Sequence, residues 1–173
     1  MSLRPAPDSD EPRVVLVCGV AGSGKTTYAQ QLEVQGCVRL SVDEEIWHRF
    51  GRYGIDYSPE EYPRLSQEAE DVVRQRLLDL VAQGREVVVD LSFWRRASRD
   101  EYKQLIEAAG GRWRLVYLQV SPDVLRQRLT QRAHRFDANA AFAITDDMLN
   151  AYLAGFEAPN GEGEEIITTT SAS

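Results

Sequence analysis

Cysteine, histidine and long apolar runs are all scarce in this sequence, and each scarcity closes off a class of function. Two cysteines and two histidines in 173 residues do not make a disulfide framework or a His/Cys metal centre. Cys18 sits in an apolar run, and both it and Cys37 are expected to pack as small hydrophobes. No apolar stretch approaches the ~18 residues that a membrane span requires. Residues 1–12 hold three prolines, three acids and almost nothing to bury. They are expected to form a disordered leader rather than a signal peptide. Positive charge is also in deficit. A net charge of −7 repels polyanions and argues against nonspecific binding to nucleic acid or to acidic membranes. The expectation is a reduced, cytoplasmic protein with one domain's worth of core.

What is present is an alternation of strands and helices. Val14-Val15-Leu16-Val17-Cys18 is a continuous apolar run, the pattern of a strand buried on both faces. A glycine-rich turn follows, then a helix over Thr26–Val34 that Gly36 ends. Val38–Ser41 predicts a second strand and Asp43–Phe50 a short helix. Ser58-Pro59-Glu60-Glu61 carries a cap, a first-turn proline and a glutamate three residues on. Behind it Leu65, Ala69, Val72, Val73, Leu77, Leu80 and Val81 keep helical spacing up to Gly84. Val87-Val88-Val89-Asp90 and Leu115–Leu118 predict two more strands, with a helix between them opened by a capping box at Ser98–Glu101. A basic helix from Ser121-Pro122 to about Ala133, a helix from Thr145 to Phe156 and a strand over Ile166–Thr169 complete the series. The fold class that follows is α/β, a parallel sheet of about five strands covered by helices on both faces.

Gly19-Val20-Ala21-Gly22-Ser23-Gly24-Lys25-Thr26 fits G-x-x-x-x-G-K-[ST], set between a buried strand and a helix. Glycines let the backbone N–H groups of such a loop turn inward around a phosphate. The cradle is expected to comprise Gly19, Ala21, Gly22, Ser23, Gly24, Lys25, Thr26 and Thr27. Lys25 would bridge the outer phosphates of ATP, and Thr26 would ligate Mg²⁺. Asp90 ends a buried strand, where it either joins Thr26 on the metal or caps the next turn.

Asp43 follows the second strand on the same sheet edge and is a candidate base for an attacking hydroxyl, although it or Ser41 can equally cap the helix. The aromatics of residues 44–63, Trp47 and Tyr53 among them, form either a substrate wall or ordinary packing. Arg128, Arg132 and Arg135 share one helical face, suited to folding over a triphosphate or to lying in solvent. Arg95, Arg96 and Arg99 cluster at a helix start, where the dipole disfavours cations unless an anion is bound nearby. They are therefore candidates for holding a substrate.

With these motifs in place, residues 13–167 resemble the small P-loop kinases, the group of chloramphenicol phosphotransferase, zeta toxins, gluconate kinase and phage polynucleotide kinase. Within them the chain is most similar to bacterial ATP-binding proteins labelled AAA-type, although it lacks the helical lid domain of hexameric AAA machines. The resemblance implies one kinase domain over 13–173 and ATP with Mg²⁺ as the nucleotide. Ser41-Val42-Asp43 matches the segment that carries the proposed base in this group. Arg126–Arg132 matches its lid, with Arg132 or Arg128 as the phosphate-touching arginine. Phe156–Pro159 falls where the adenine loop is expected. The implied activity is phosphate transfer from ATP to a hydroxyl of a small molecule, with no nucleic acid or membrane partner. Two other readings remain open: a nucleotide-dependent switch without an acceptor, and a kinase of polynucleotide 5′ ends.

Overall fold

The structure, a computed structural model, describes residues 13–132 and 144–169. Five parallel strands lie in the order β2-β3-β1-β4-β5. They are β1 (Arg13–Cys18), β2 (Val38–Ser41), β3 (Val87–Asp90), β4 (Arg112–Val120) and β5 (Glu165–Thr169). The central strands are apolar on both sides because helices cover both faces. Val14, Leu16, Val87 and Val89 face one layer with α3 (Tyr62–Ala82) and α4 (Arg96–Ala108). Val15, Val17, Val88 and Val116 face Ala29 of α1 (Lys25–Val34). The expected parallel sheet with two helical layers is therefore the observed one.

Local signals explain most element boundaries. Ser41 caps α2 (Val42–Phe50) by accepting from the Glu44 N–H at 3.3 Å, and acids fill that helix's first turn. The capping box at Ser58 is formed, but it opens a single 3₁₀ turn, Pro59–Glu61, that runs into α3. Helix α4 departs from expectation. Ser98 does not cap it; Arg95 stands at the cap position and offers no side-chain hydrogen bond. α5 spans Pro122–Arg132 and α6 spans Asp146–Gly155, capped by Thr145. Among the described residues no helix is long and apolar enough to cross a membrane.

The chain leaves β1 for β2, returns to β3 beside β1, and then crosses to β4 on the other side of β1. That change of direction opens a crevice at the C-terminal ends of β1 and β3, where ligands bind in open α/β sheets. Every candidate catalytic residue whose side chain is described borders this crevice.

Candidate active site

The loop between β1 and α1 is shaped by backbone geometry. Gly22 (φ 83°) and Gly24 (φ 96°) occupy the left-handed region, which glycine enters without the penalty a Cβ would impose. A Cβ on Gly19 would run into the Ser23 hydroxyl and lie 3.1 Å from the Leu118 carbonyl. The loop is thus wound as tightly as glycine allows. The first turn of α1 has no side-chain cap and no acidic residue, which leaves the positive end of its dipole for an external anion. Ser23 Oγ is buried without a hydrogen-bond partner, an orphaned donor of the kind a phosphate oxygen satisfies. Lys25 Nζ donates to the Val20 carbonyl at 3.2 Å, and Arg128 donates to the Gly22 carbonyl at 3.2 Å. Both cations rest on the rim of the loop. These features fit a nucleotide triphosphate. Gly22→Ala is expected to cost about 1–2 kcal/mol in backbone strain, because its Cβ would also meet Leu129 at 3.3 Å. Urea denaturation of the variant checks this, and nucleotide affinity should fall with it.

Thr26 donates its hydroxyl to Asp90 Oδ2 at 2.9 Å. Asp90 is 7 % exposed. Burial pushes its carboxyl pKa up, while the Lys25 charge and the Thr26 hydrogen bond pull it down. A hydroxyl and a carboxylate are hard oxygen donors, the set that suits Mg²⁺. No group of three or more His, Cys, Asp or Glu side chains gathers for a metal among the described residues. A cation held by these two groups would complete its shell with phosphate oxygens and water, as Mg²⁺ prefers.

The loop opens into a cleft of about 960 Å³. Ser41 performs the capping of α2, so Asp43 in the first turn is exposed and borders the cleft with Trp47. Tyr57, Tyr62, Trp94 and Tyr152 supply further walls. The expectation for Tyr53 needs correction. It stands behind the wall, edge-on to Tyr57 (centroids 6.0 Å apart) and Tyr62 (5.6 Å), and does not line the cleft. Trp94 and Tyr152 escaped sequence reasoning, because their elements are far apart in sequence and meet only in the fold, edge-to-face at 4.9 Å. Trp94 follows Phe93, whose φ of 53° is the one positive value among described non-glycine residues. The Phe93 carbonyl accepts from Arg99 at 2.7 Å and lies 3.6 Å from the Cys18 thiol. Such a conformation persists only where its surroundings hold it.

The arginines at the start of α4 require a second correction. Arg99 is fully buried and donates twice to Glu162, at 2.8 Å each. It cannot reach an acceptor in the cleft. Arg96 donates its backbone N–H to Glu157 at 2.9 Å and lies 3.7 Å from Asp100 through its guanidinium. Arg95 is exposed, and neither it nor Arg96 borders the cleft. The anions expected at this helix start exist, but they are the protein's own Glu157 and Glu162. The same contacts occupy Phe156–Pro159: Phe156 packs on Tyr117, and the Glu157 N–H donates to the Trp94 carbonyl at 2.8 Å. That segment joins α4 to the sheet and does not border the cleft. Of the basic face on α5, Arg128 reaches the phosphate loop. The Arg132 side chain and Arg135 lie outside the described residues.

A family model described as an AAA domain matches residues 14–159. The chain belongs to that family. Three solved structures show how this AAA-domain protein is built. A Chloroflexus aurantiacus protein described as a kinase superposes with a TM-score of 0.74 at 20 % identity, covering 94 % of this chain and 89 % of its own. A gluconokinase from Sinorhizobium meliloti 1021 gives 0.59 at 24 % identity, covering 94 % and 85 %. The Mycobacterium tuberculosis APS kinase, in complex with AMPPNP and APS, gives 0.57 at 16 % identity, covering 91 % and 88 %. The fold is that of the small P-loop kinases. No curated protein matches the chain in sequence.

Proposed function

We propose that this protein transfers the γ-phosphate of ATP to an alcohol on a small molecule. The observation that carries the reading is one shared cleft: Lys25, Thr26, Asp90 and Arg128 line its phosphate end, and the exposed carboxylate of Asp43 lies beside it on α2. Lys25 and the loop amides bind the outer phosphates and stabilise the charge that spreads over them as the bond to the leaving oxygen lengthens. Thr26 and Asp90 would hold Mg²⁺, which neutralises phosphate charge when bound. Asp43 orients the acceptor hydroxyl and takes its proton as the oxygen attacks. Arg128, which rests on the Gly22 carbonyl, is the described lid cation, and Arg132 is proposed to join it from the same helix. The three structural relatives support nucleotide-dependent phosphotransfer and leave this protein's acceptor open, since one is described as a gluconokinase and another holds APS.

Asp43→Asn keeps the size of the side chain and removes its basicity. It is expected to lower the transfer rate about 10²- to 10⁴-fold while the affinity for a non-hydrolysable ATP analogue stays within threefold. Coupled measurement of ADP release with and without alcohols, beside calorimetric nucleotide binding, checks both halves. Unchanged transfer in the variant would sink the base assignment. The switch reading predicts the same slow ADP release with and without alcohols. A kinase of polynucleotide ends draws less support than the sequence offered it, because Arg99 is buried and Arg95 and Arg96 stand outside the cleft.

A further inference from the structure

The cleft lining has two parts of opposite character. Its described cations, Lys25 and Arg128, both sit on carbonyls of the phosphate loop. The lining also holds five rings, Trp47, Tyr57, Tyr62, Trp94 and Tyr152. Among the described residues no other Arg or Lys lines the cleft. Of the arginines at the start of α4, Arg99 is held by Glu162, and Arg96 lies by Asp100 outside the cleft.

The charge that faces the rings is negative. Burial raises the pKa of Tyr57 and Tyr62, and the nearby Asp43 charge adds to it in both. An anionic acceptor would enter against Asp43, against Asp90 and against a net charge of −7. Two of the lining rings stand across one another. Trp94 and Tyr152 meet at 72°, and Tyr53 props Tyr57 and Tyr62 from behind at 87° and 81°. Crossed aromatic walls hold a flat face by dispersion and edge contacts, without an ion pair.

From this we infer that the acceptor is an uncharged alcohol with a flat apolar face, either the C–H face of a sugar ring or an aromatic ring, and not a carboxylate, phosphate ester or sulfate ester. This rests on the phosphotransfer reading of the same cleft. In the step, the alcohol oxygen forms the new bond to the γ-phosphorus. The bond from that phosphorus to the bridging oxygen breaks, and ADP leaves with the electron pair. The hydroxyl proton passes to the Asp43 carboxylate and then to water.

Binding tests the acceptor without requiring transfer. Trp113 donates to Glu107 and lies under Lys103, away from the cleft. A Trp113→Phe chain therefore keeps Trp47 and Trp94 as its two indole reporters out of three tryptophans. The probes are two matched pairs: methyl glucoside against glucuronate, and phenylethanediol against mandelate. They are titrated by tryptophan fluorescence with Mg²⁺ and a non-hydrolysable ATP analogue present, so that no anion can occupy the phosphate loop. The uncharged member of at least one pair is expected to bind at least tenfold more tightly than its anionic partner. Which pair responds separates a sugar face from an aromatic one. Trp94→Ala should weaken that binding at least tenfold, and Trp94→Phe should hold it within threefold. Tighter or equal binding of the anionic member in both pairs overturns the inference, as does the absence of binding by either uncharged probe. Replacing the analogue with ATP then separates the two readings. A bound alcohol that never becomes a phosphoester removes the kinase assignment and leaves the acceptor chemistry standing.

Discussion

Lys25→Ala is expected to lower phosphate transfer about 10³-fold or more and to melt within a few degrees of the parent chain. The asymmetry follows from where the ammonium sits. In this structure it donates to the Val20 carbonyl at 3.2 Å on a partly exposed rim, and the buried Asp90 that loses its nearby charge keeps the Thr26 hydrogen bond and can take up a proton instead. The phosphate end of the cleft, by contrast, has two described cations, and the other, Arg128, reaches across from α5 to the Gly22 carbonyl. Losing one of two charges aimed at a developing anion in a partly water-excluded site removes stabilisation that water does not restore. Arg128→Ala should therefore cost less than Lys25→Ala but act on the same step. Single-turnover kinetics at saturating nucleotide, beside a thermal melt of each variant, measures both parts. A Lys25→Ala chain that transfers at the parent rate would contradict the phosphate-end assignment.

The largest stability effect is expected far from that loop. Arg99→Met should destabilise the fold by about 3–5 kcal/mol, because it leaves the buried Glu162 carboxylate with only the longer Lys103 contact at 4.0 Å and the Asn160 N–H at 3.3 Å. For a chain of this size that is a fall in melting temperature of roughly 6–20 °C. Both side chains are buried, at 0 % and 2 % exposure, so the pair is barely screened by solvent. The double variant Arg99→Met with Glu162→Met should recover most of the loss, since replacing a buried pair with apolar groups is often neutral. A double variant as unstable as the single would show that the strained Phe93 turn, not the stranded charge, sets the cost.

The same pair gives the fold a pH dependence of definite sign. The Arg99 hydrogen bonds, outweighing burial, hold the Glu162 pKa below its ordinary value of 4.5. A carboxylate depressed in the folded state contributes stability that is complete above that ordinary value and is lost as pH falls through the folded pKa. The stability gap between the parent and Glu162→Gln should accordingly be widest near neutral pH and narrow on acidification below about pH 4.5. Chemical denaturation across that range checks it.

These two sites also mark what was legible in the sequence. The phosphate loop is local: eight consecutive residues between a buried strand and a helix determine its shape, and the observed geometry follows their order. The sheet was legible for a related reason. Val14–Cys18 and Val87–Val89 are apolar on both sides, which only a strand covered by two layers requires. Strand β4 runs from Arg112 to Val120, well beyond the apolar stretch Leu115–Leu118, because backbone pairing with β1 and β5 defines its ends and hydropathy does not record it.

The basic cluster before α4 was misread for want of its partners. Glu157 lies 61 residues from Arg96, and Glu162 lies 63 from Arg99. The acids of residues 157–165 are the one available signal, a negative run in a chain whose cations gather elsewhere. Whether Tyr53 lines the cleft or packs behind it stays open in the sequence for a similar reason. A loop rich in glycine gives no periodicity from which to tell the ring that faces a cleft from the ring that props it.

The cleft is proposed to move phosphate from ATP to an alcohol. Phosphorus NMR of the protein with ATP and Mg²⁺, run with pooled uncharged alcohols and separately with none, tests it most directly. A new phosphoester signal is expected that requires the pool, grows as ADP appears and is absent when Asp43→Asn replaces the parent over the same interval. Inorganic phosphate and ADP forming at one rate in both samples, with no ester, would contradict it.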